Sequence, residues 1–371
     1  MQSLHKKVVF LAAVLLSSGI ARQAQAQIAP TQVITTAAPS LRIPTDARAT
    51  GMGNVGIATA PDASSNYWNL AKTPFADKQS EIALNYSPWM PQVTNGMYLL
   101  GLSGYYRLDS EQAVTASVRY FNLGNFQLKD VNDNVLESTN PYEMSVDLGY
   151  ARKLSDKWSV GVALRFIQSK LATGTYVGTT YKAGVAVAGD VSVFYNGKNV
   201  EGQGFSAGLA LSNLGSKISY MNDPSQKDFL PANLGLGLAY TLAPDEDNAL
   251  TFAADINKLL VPAAPRNASD SAGYYNDGVL QSLGKGFGNS AWQYGVGAEY
   301  TYHRQFSLRV GYYGESDSEG GQKRLTAGIG LVFHPVTLNV SYLAPGGTGG
   351  TGAQNPLSNT IRLGVLFVLG K

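Results

Sequence analysis

The chain has 371 residues, with 28 basic against 26 acidic side chains and a formal net charge of +2, a balance that leaves no electrostatic footprint for nucleic acid. Charged residues make up only 15% against roughly 25% in soluble domains, while glycine supplies 41 residues and tyrosine 21. Cysteine is absent, which excludes a disulfide framework, a lipid-modified N-terminal cysteine, thiolate catalysis and most transition-metal sites.

The first elements are those of an exported protein. Lys6 and Lys7, the apolar run Val8 to Leu16, and the small-x-small site Ala24-Gln25-Ala26 predict a signal peptide over residues 1–26. The mature chain then begins near Gln27. No later segment offers the roughly 20 consecutive apolar residues of a membrane helix, so a helical membrane protein is excluded. Residues 27–79 form an N-terminal segment whose central stretch, Arg42 to Phe75, differs in composition from everything after it. Gly51, Gly53 and Gly56 permit backbone conformations and close approaches that a side chain forbids. Asp62 is placed to cap a short helix that must stop before Pro74. The expectation is a compact plug with the rest of the chain wrapped round it.

From Ser80 onward the dominant signal is period-two alternation in segments of about nine to thirteen residues, the length of a membrane strand. Trp158, Val160, Val162, Leu164 and Phe166 share one face against Ser159, Gly161, Ala163, Arg165 and Ser169, and Ile361, Leu363, Val365, Phe367 and Leu369 repeat the pattern. Such segments start near residues 80, 96, 111, 141, 156, 183, 204, 231, 247, 291, 304, 323, 335 and 359, about fourteen strands, an even number as bacterial barrels require. Between them long and short connections alternate, from the long Gly124–Asn140 and Leu259–Ser290 to the short Asp109-Ser110 and His334-Pro335. A β-sandwich shares the period but not the strand length or the loop rhythm. The predicted fold is all-β: a transmembrane β-barrel of about fourteen antiparallel strands over residues 80–371 with an N-terminal plug, both ends of the barrel and the start of the plug lying on the periplasmic side.

Arg119, Asp147, Arg165, Asp190, Asp255, Glu299, Arg309, Arg324 and Arg362 fall on the face opposite the apolar series. An Arg facing lipid at mid-membrane costs about 2–4 kcal/mol, so these side chains are expected inside. There they solvate the lumen and pair with plug groups such as Asp46, Arg48 and Asp62, or else line a selectivity path.

The chemistry of catalysis is missing. His303 and His334 both fall in short turns, so no strand-borne histidine can serve a Ser-His-acid arrangement. Neither an enzyme, a cofactor nor a metal site is expected. Gly51-Met-Gly-Asn-Val-Gly lacks the spacing and βαβ context of a phosphate loop and is read as a packing motif. Asn267-Ala268-Ser269 is a sequon of low specificity. Tyr274 and Tyr275 in the longest loop are loop-packing residues or, if exposed, anchors for a partner, as are Phe126 and Phe287.

The stretch Asp46-Ala-Arg-Ala-Thr-Gly-Met-Gly-Asn-Val-Gly-Ile-Ala, followed by Asp62-Ala-Ser-Ser-Asn-Tyr-Trp-Asn-Leu-Ala, resembles the plug of the FadL-like outer-membrane transporters. With the Tyr86-Ser-Pro-Trp-Met segment it is closer to their PorV/PorQ branch, of the type IX secretion system. Leu70 stands where relatives commonly have proline. The resemblance covers the mature chain and marks Asp46, Arg48, Gly51, Gly53, Gly56, Asp62 and Asn69 as the plug motif. It implies an outer-membrane shuttle without catalysis that binds the C-terminal signal domain of secreted cargo, collects it from a SprA/Sov-like translocon barrel and delivers it to the cell-surface sortase PorU, which attaches lipopolysaccharide. Membrane lipids and lipopolysaccharide would surround it. The other function it implies is a channel for fatty acids or other hydrophobic small molecules, leaving through a wall gap that Gly184 and Gly189 are placed to mark.

Overall fold

A computed structural model describes residues 33–90, 96–129, 133, 135–176, 178–223, 227–264, 273–345 and 359–369. The predicted leader and the Asn267 sequon lie outside them. Residues 33–79 carry a 3-10 turn Pro39–Arg42, helix α1 Ala47–Gly51, helix α2 Ser65–Trp68 and a 3-10 segment Leu70–Phe75. Strands follow as β1 Ser80–Pro88, β2 Tyr98–Arg107, β3 Gln112–Asn122, β4 Tyr142–Lys153, β5 Trp158–Lys170, β6 Gly184–Asn196 and β7 Gly204–Gly215. The second half holds β8 Asn233–Leu242, β9 Asn248–Leu259, helix α3 Val279–Phe287, β10 Trp292–Tyr302, β11 Phe306–Glu315, β12 Lys323–Phe333, β13 Val336–Pro345 and β14 Thr360–Val368.

These fourteen strands pair antiparallel, each with its neighbours in the chain, and the sheet closes where β1 meets β14 from Glu81 opposite Val368 to Tyr86 opposite Leu363. Closure removes the unpaired edges that hydrocarbon cannot satisfy. Every strand begins within two residues of its expected start. Period-two alternation is why: on β5 Val162, Leu164 and Phe166 are exposed while Gly161, Ala163, Arg165 and Ile167 are buried.

The outward face is apolar between two aromatic belts. At the rim of the long loops Tyr86, Tyr98, Tyr120 and Tyr142 stand side by side with ring centroids 6.0, 6.4 and 5.6 Å apart, and Tyr294 and Tyr312 continue the row. At the rim of the short turns Trp158, Tyr195 and Phe205 form the second belt. Amphipathic rings settle at the two water boundaries of a membrane. The nine inward charges are all buried, from 1% exposure at Asp147 and Arg362 to 7% at Arg119 and Asp190.

Two expectations are corrected. The first described residues of the plug segment do not lie at the short-turn end. Ile34 donates its backbone N–H to Ser318 O (3.0 Å) and Ala37 to Phe229 O (2.9 Å), both in long loops. The segment then descends the lumen to Ala76, whose carbonyl accepts from Arg107 Nη1 at the short-turn end (2.7 Å). The helix over 65–68 is capped differently from the expectation: Ser64 is its N-cap, and Asp62 Oδ1 accepts from Ser64 N (2.9 Å). It ends at Trp68, yet a tighter 3-10 segment carries the chain through Pro74.

At Gly189 the wall does carry an irregularity, a bulge between Gly189 and Val191 in the β6–β7 ladder. The β5–β6 ladder runs through it unbroken from Gly184 to Tyr195.

Candidate functional site

The plug is held in the lumen by backbone approach and by buried polar contacts, and the wall is built to receive it. Asp46 caps α1 by accepting from Arg48 N (2.8 Å) and, through its other oxygen, from Trp68 Nε1 (3.1 Å). One carboxylate therefore ties the two plug helices together. Gly53 adopts φ +78°, and a side chain there would meet Tyr312 O and Val296 O of the wall at 2.6 and 2.7 Å. Gly51 lies against Gly328 of β12, and Gly56 lies under the Trp68 ring. The wall answers with Gly295, Gly297 and Gly311, where a Cβ would run into the backbone of Met52 and Gly53. Thr326 bridges the two bodies, accepting from Gly53 N (2.9 Å) and donating to Gly51 O (3.0 Å).

Charge completes the attachment. Arg48 makes a bidentate pair with Glu299 of β10 (2.8 and 3.0 Å) and a second pair with Asp62 (3.0 Å), while Glu299 also holds Arg309 of β11 (2.5 Å). Asp255 of β9 accepts from Gly56 N and Ile57 N (2.7 and 2.9 Å). Arg119 donates to the carbonyls of Ser40, Leu41 and Ile43, and Arg362 to Pro44 O and Thr50 Oγ1. Asn69 receives Ala71 N (3.0 Å) and donates to Val193 O (3.0 Å).

Of the three plug charges expected to pair with the wall, only Arg48 does; Asp46 and Asp62 are engaged within the plug. Arg165 pairs instead with its strand neighbours Asp147 and Asp190, with Asn213 beside it. Sequence reading missed Trp68, the wall glycines and Lys72. Lys72 is 1% exposed and donates to Gly56 O (2.6 Å) and Thr59 Oγ1 (3.3 Å). A lone Lys in a motif of small residues carries no sign of where its amine will go.

Between plug and wall lie cavities of about 60 and about 260 Å³, the larger one below the roughly 300–1,000 Å³ of small-molecule sites. Arg42, Glu315, Glu319, Arg324 and Arg362 line it.

Above it, residues 34–37 of the plug segment are clamped by three long loops, those of Phe229, Tyr274 and Ser318. Ile34 packs with Phe229, Leu259, Val261, Tyr274 and Ala291, and Lys217 Nζ donates to the carbonyls of Tyr274 and Tyr275 (3.2 and 3.0 Å) while lying 3.9 Å over the Phe229 ring. Tyr274 is thus a packing residue. The residue is 9% exposed, and burial pushes its hydroxyl up to about 12. Tyr275, Phe126 and Phe287 are exposed. Phe126 lies on a loop hairpin, Phe126–Lys129 paired with Val135–Thr139.

Among the described residues no group of three or more His, Asp or Glu is arranged to hold a metal. His303 and His334 both lie in turns at the far end of the barrel, with His303 Nδ1 2.6 Å from Asp247.

Comparison with known proteins agrees with this geometry. The family model described as Type IX secretion system protein PorV matches residues 25–266, more than half of the chain. No curated protein sequence is significantly similar. Among solved structures, the CymD monoaromatic hydrocarbon channel superposes with a TM-score of 0.56 at 12% identity, covering 88% of this chain and 97% of that one. The Pseudomonas putida toluene transporter TodX gives 0.55 at 13%, covering 86% and 96%, and the Ralstonia pickettii toluene transporter TbuX 0.54 at 11%, covering 87% and 97%. At such identities these likenesses speak for the fold alone, the closed barrel described above.

Proposed function

The chain belongs to the PorV family of type IX secretion system outer-membrane proteins, and from that premise we propose that it is a non-catalytic adaptor for secreted cargo. It binds the C-terminal β-sandwich signal domain of the cargo on its long-loop end, receives it from the SprA/Sov-like translocon barrel and presents it to the sortase PorU. In this reading the long loops face the cell surface.

The observation that carries this reading is the way the lumen is filled. Arg48, held by Glu299 and Asp62, fixes the plug across the barrel, and the same plug segment rises to be gripped by the long loops through Ile34. An ordered platform above a plugged lumen is suited to holding a folded domain, because a rigid scaffold under exposed loops reduces the ordering that binding requires. Phe126 and Tyr275, exposed on two different loops, are proposed as apolar contacts.

The test is capture of a signal-bearing β-sandwich domain by the purified barrel, with the loops over 123–141 and 260–291 shortened in turn. Loss of capture by heat-modifiable, folded variants is expected. Undiminished capture with both loops shortened would overturn the adaptor reading. The structural neighbours, a toluene transporter and a monoaromatic hydrocarbon channel, raise a hydrocarbon conduit as the other reading. The charged lining of the larger cavity does not favour it, and uptake of labelled fatty acid into vesicles carrying the protein separates the two.

A further inference from the structure

Helix α3 lies on the lipid side of the barrel wall, at the long-loop rim. Lys258 belongs to the outward series of β9, in step with Phe252 and Ile256, which are 51% and 42% exposed. Yet Lys258 is 2% exposed, and Leu260 just past the strand end is also 2% exposed. What covers them is the end of α3 and the turn after it. A Cβ on Gly286 would lie 2.3 Å from the Leu260 carbonyl carbon. Asn289 accepts from Lys258 Nζ, whose amine also stands 4.5 Å over the ring of Trp292. Trp292 faces outward two residues beyond Tyr294 of the aromatic belt. The helix therefore sits level with the water boundary of the membrane, outside the sheet.

Its sides are sorted accordingly. At about 100° per residue, Ser282 and Gly286 share the flank that is buried against the wall. Gln281 and Lys285 share a second flank, exposed, with Lys285 Nζ 2.6 Å from Asp277. Leu280, Leu283 and Phe287 share a third. On it Leu280 is 84% and Phe287 57% exposed, although they are the bulkiest apolar groups of the helix. A soluble loop helix would turn that flank, rather than serine and glycine, towards the protein.

We propose that α3 is an interfacial anchor: its Leu280–Phe287 flank inserts into the outer-leaflet lipid surface beside the barrel, with Gln281 and Lys285 turned to water. The occupant follows from position. The flank continues the lipid-facing surface that begins at Tyr294 and Trp292, and an amphipathic helix at that depth lies in the headgroup and acyl boundary. Phe287 is thereby assigned to lipid rather than to cargo, and the longest loop is pinned to the membrane at one end while Tyr274 pins it to the plug. The proposal does not depend on what the platform binds.

The absence of cysteine from the chain makes the test direct. Single variants Leu280→Cys, Phe287→Cys and Gln281→Cys carry a nitroxide label in phosphatidylcholine nanodiscs, each shown to be folded by its heat-dependent gel shift. Collision with oxygen relative to a water-soluble nickel chelate is expected to be several-fold higher at 280 and 287 than at 281. Equal, water-like values at all three positions would overturn the proposal. So would labels at 280 and 287 that are water-like in lipid alone and become shielded only when a cargo signal domain is added, which would mark a protein-docking face.

Discussion

Gly53 of the plug and Gly311 of β11 meet backbone to backbone inside the barrel: a Cβ on Gly311 would lie 2.2 Å from the Gly53 amide nitrogen. The contact explains why glycine is needed on both bodies. At Gly53 the backbone conformation and the space both forbid a side chain; at Gly311 the space alone does.

Gly311→Ala is accordingly expected to lower barrel stability by about 1–3 kcal/mol through overpacking, read as an earlier urea midpoint in lipid vesicles. Gly278→Ala is the control. Gly278 has φ −69° and nothing within 4 Å of its absent Cβ, so its midpoint should stay where it is.

The Arg48–Glu299–Arg309 cluster gives a second expectation. Glu299→Gln leaves Arg309 without its carboxylate partner and Arg48 with Asp62 alone, and removing one partner of a buried pair costs about 3–5 kcal/mol. Adding Arg309→Gln relieves one uncompensated charge and should recover part of the loss. If Glu299→Gln unfolds at the wild-type urea concentration, the pair does not hold the plug.

Sidedness is tested at Leu164, 70% exposed in the middle of β5. Leu164→Arg should destabilise by about 2–4 kcal/mol in a bilayer. Val200→Arg, at a position 99% exposed in a short turn, should be neutral. Equal effects of the two in urea titration of vesicle-embedded protein would contradict the lipid-facing assignment.

Adjacent tyrosines separate packing from recognition. Tyr274→Ala removes a ring from the Ile34 and Phe229 cluster and should cost about 3–5 kcal/mol locally, as for other large aromatic truncations, seen as faster hydrogen exchange at residues 33–38. Tyr275→Ala should leave exchange unchanged and weaken capture of the signal domain. The reverse pattern would sink the assignment of either residue.

Much of this architecture is legible in the amino-acid order. Residues two apart in a strand share a face, so oil outside and polar groups within leave their mark at every second position, as in Val162, Leu164 and Phe166 against Arg165. That rule located fourteen strands and sent nine charges inward. Separately, Gly51, Gly53 and Gly56 marked the plug motif as something packed closely, because glycine permits approaches that a side chain forbids.

Alternation carries no information about depth or about partners distant in the chain, and there the tertiary structure decided. Only the assembled barrel shows that the described start of the plug segment lies at the long-loop end, that Asp46 and Asp62 are used within the plug while Arg48 reaches Glu299, and that Gly295, Gly297 and Gly311 are the counterparts of Met52 and Gly53. It alone separates buried Tyr274 from exposed Tyr275 and puts α3 outside the wall. The amino-acid order by itself determined which side of each strand meets lipid, since that is a local property of period two; which residues meet across the lumen depended on closure of the sheet, which brings together groups more than 200 positions apart.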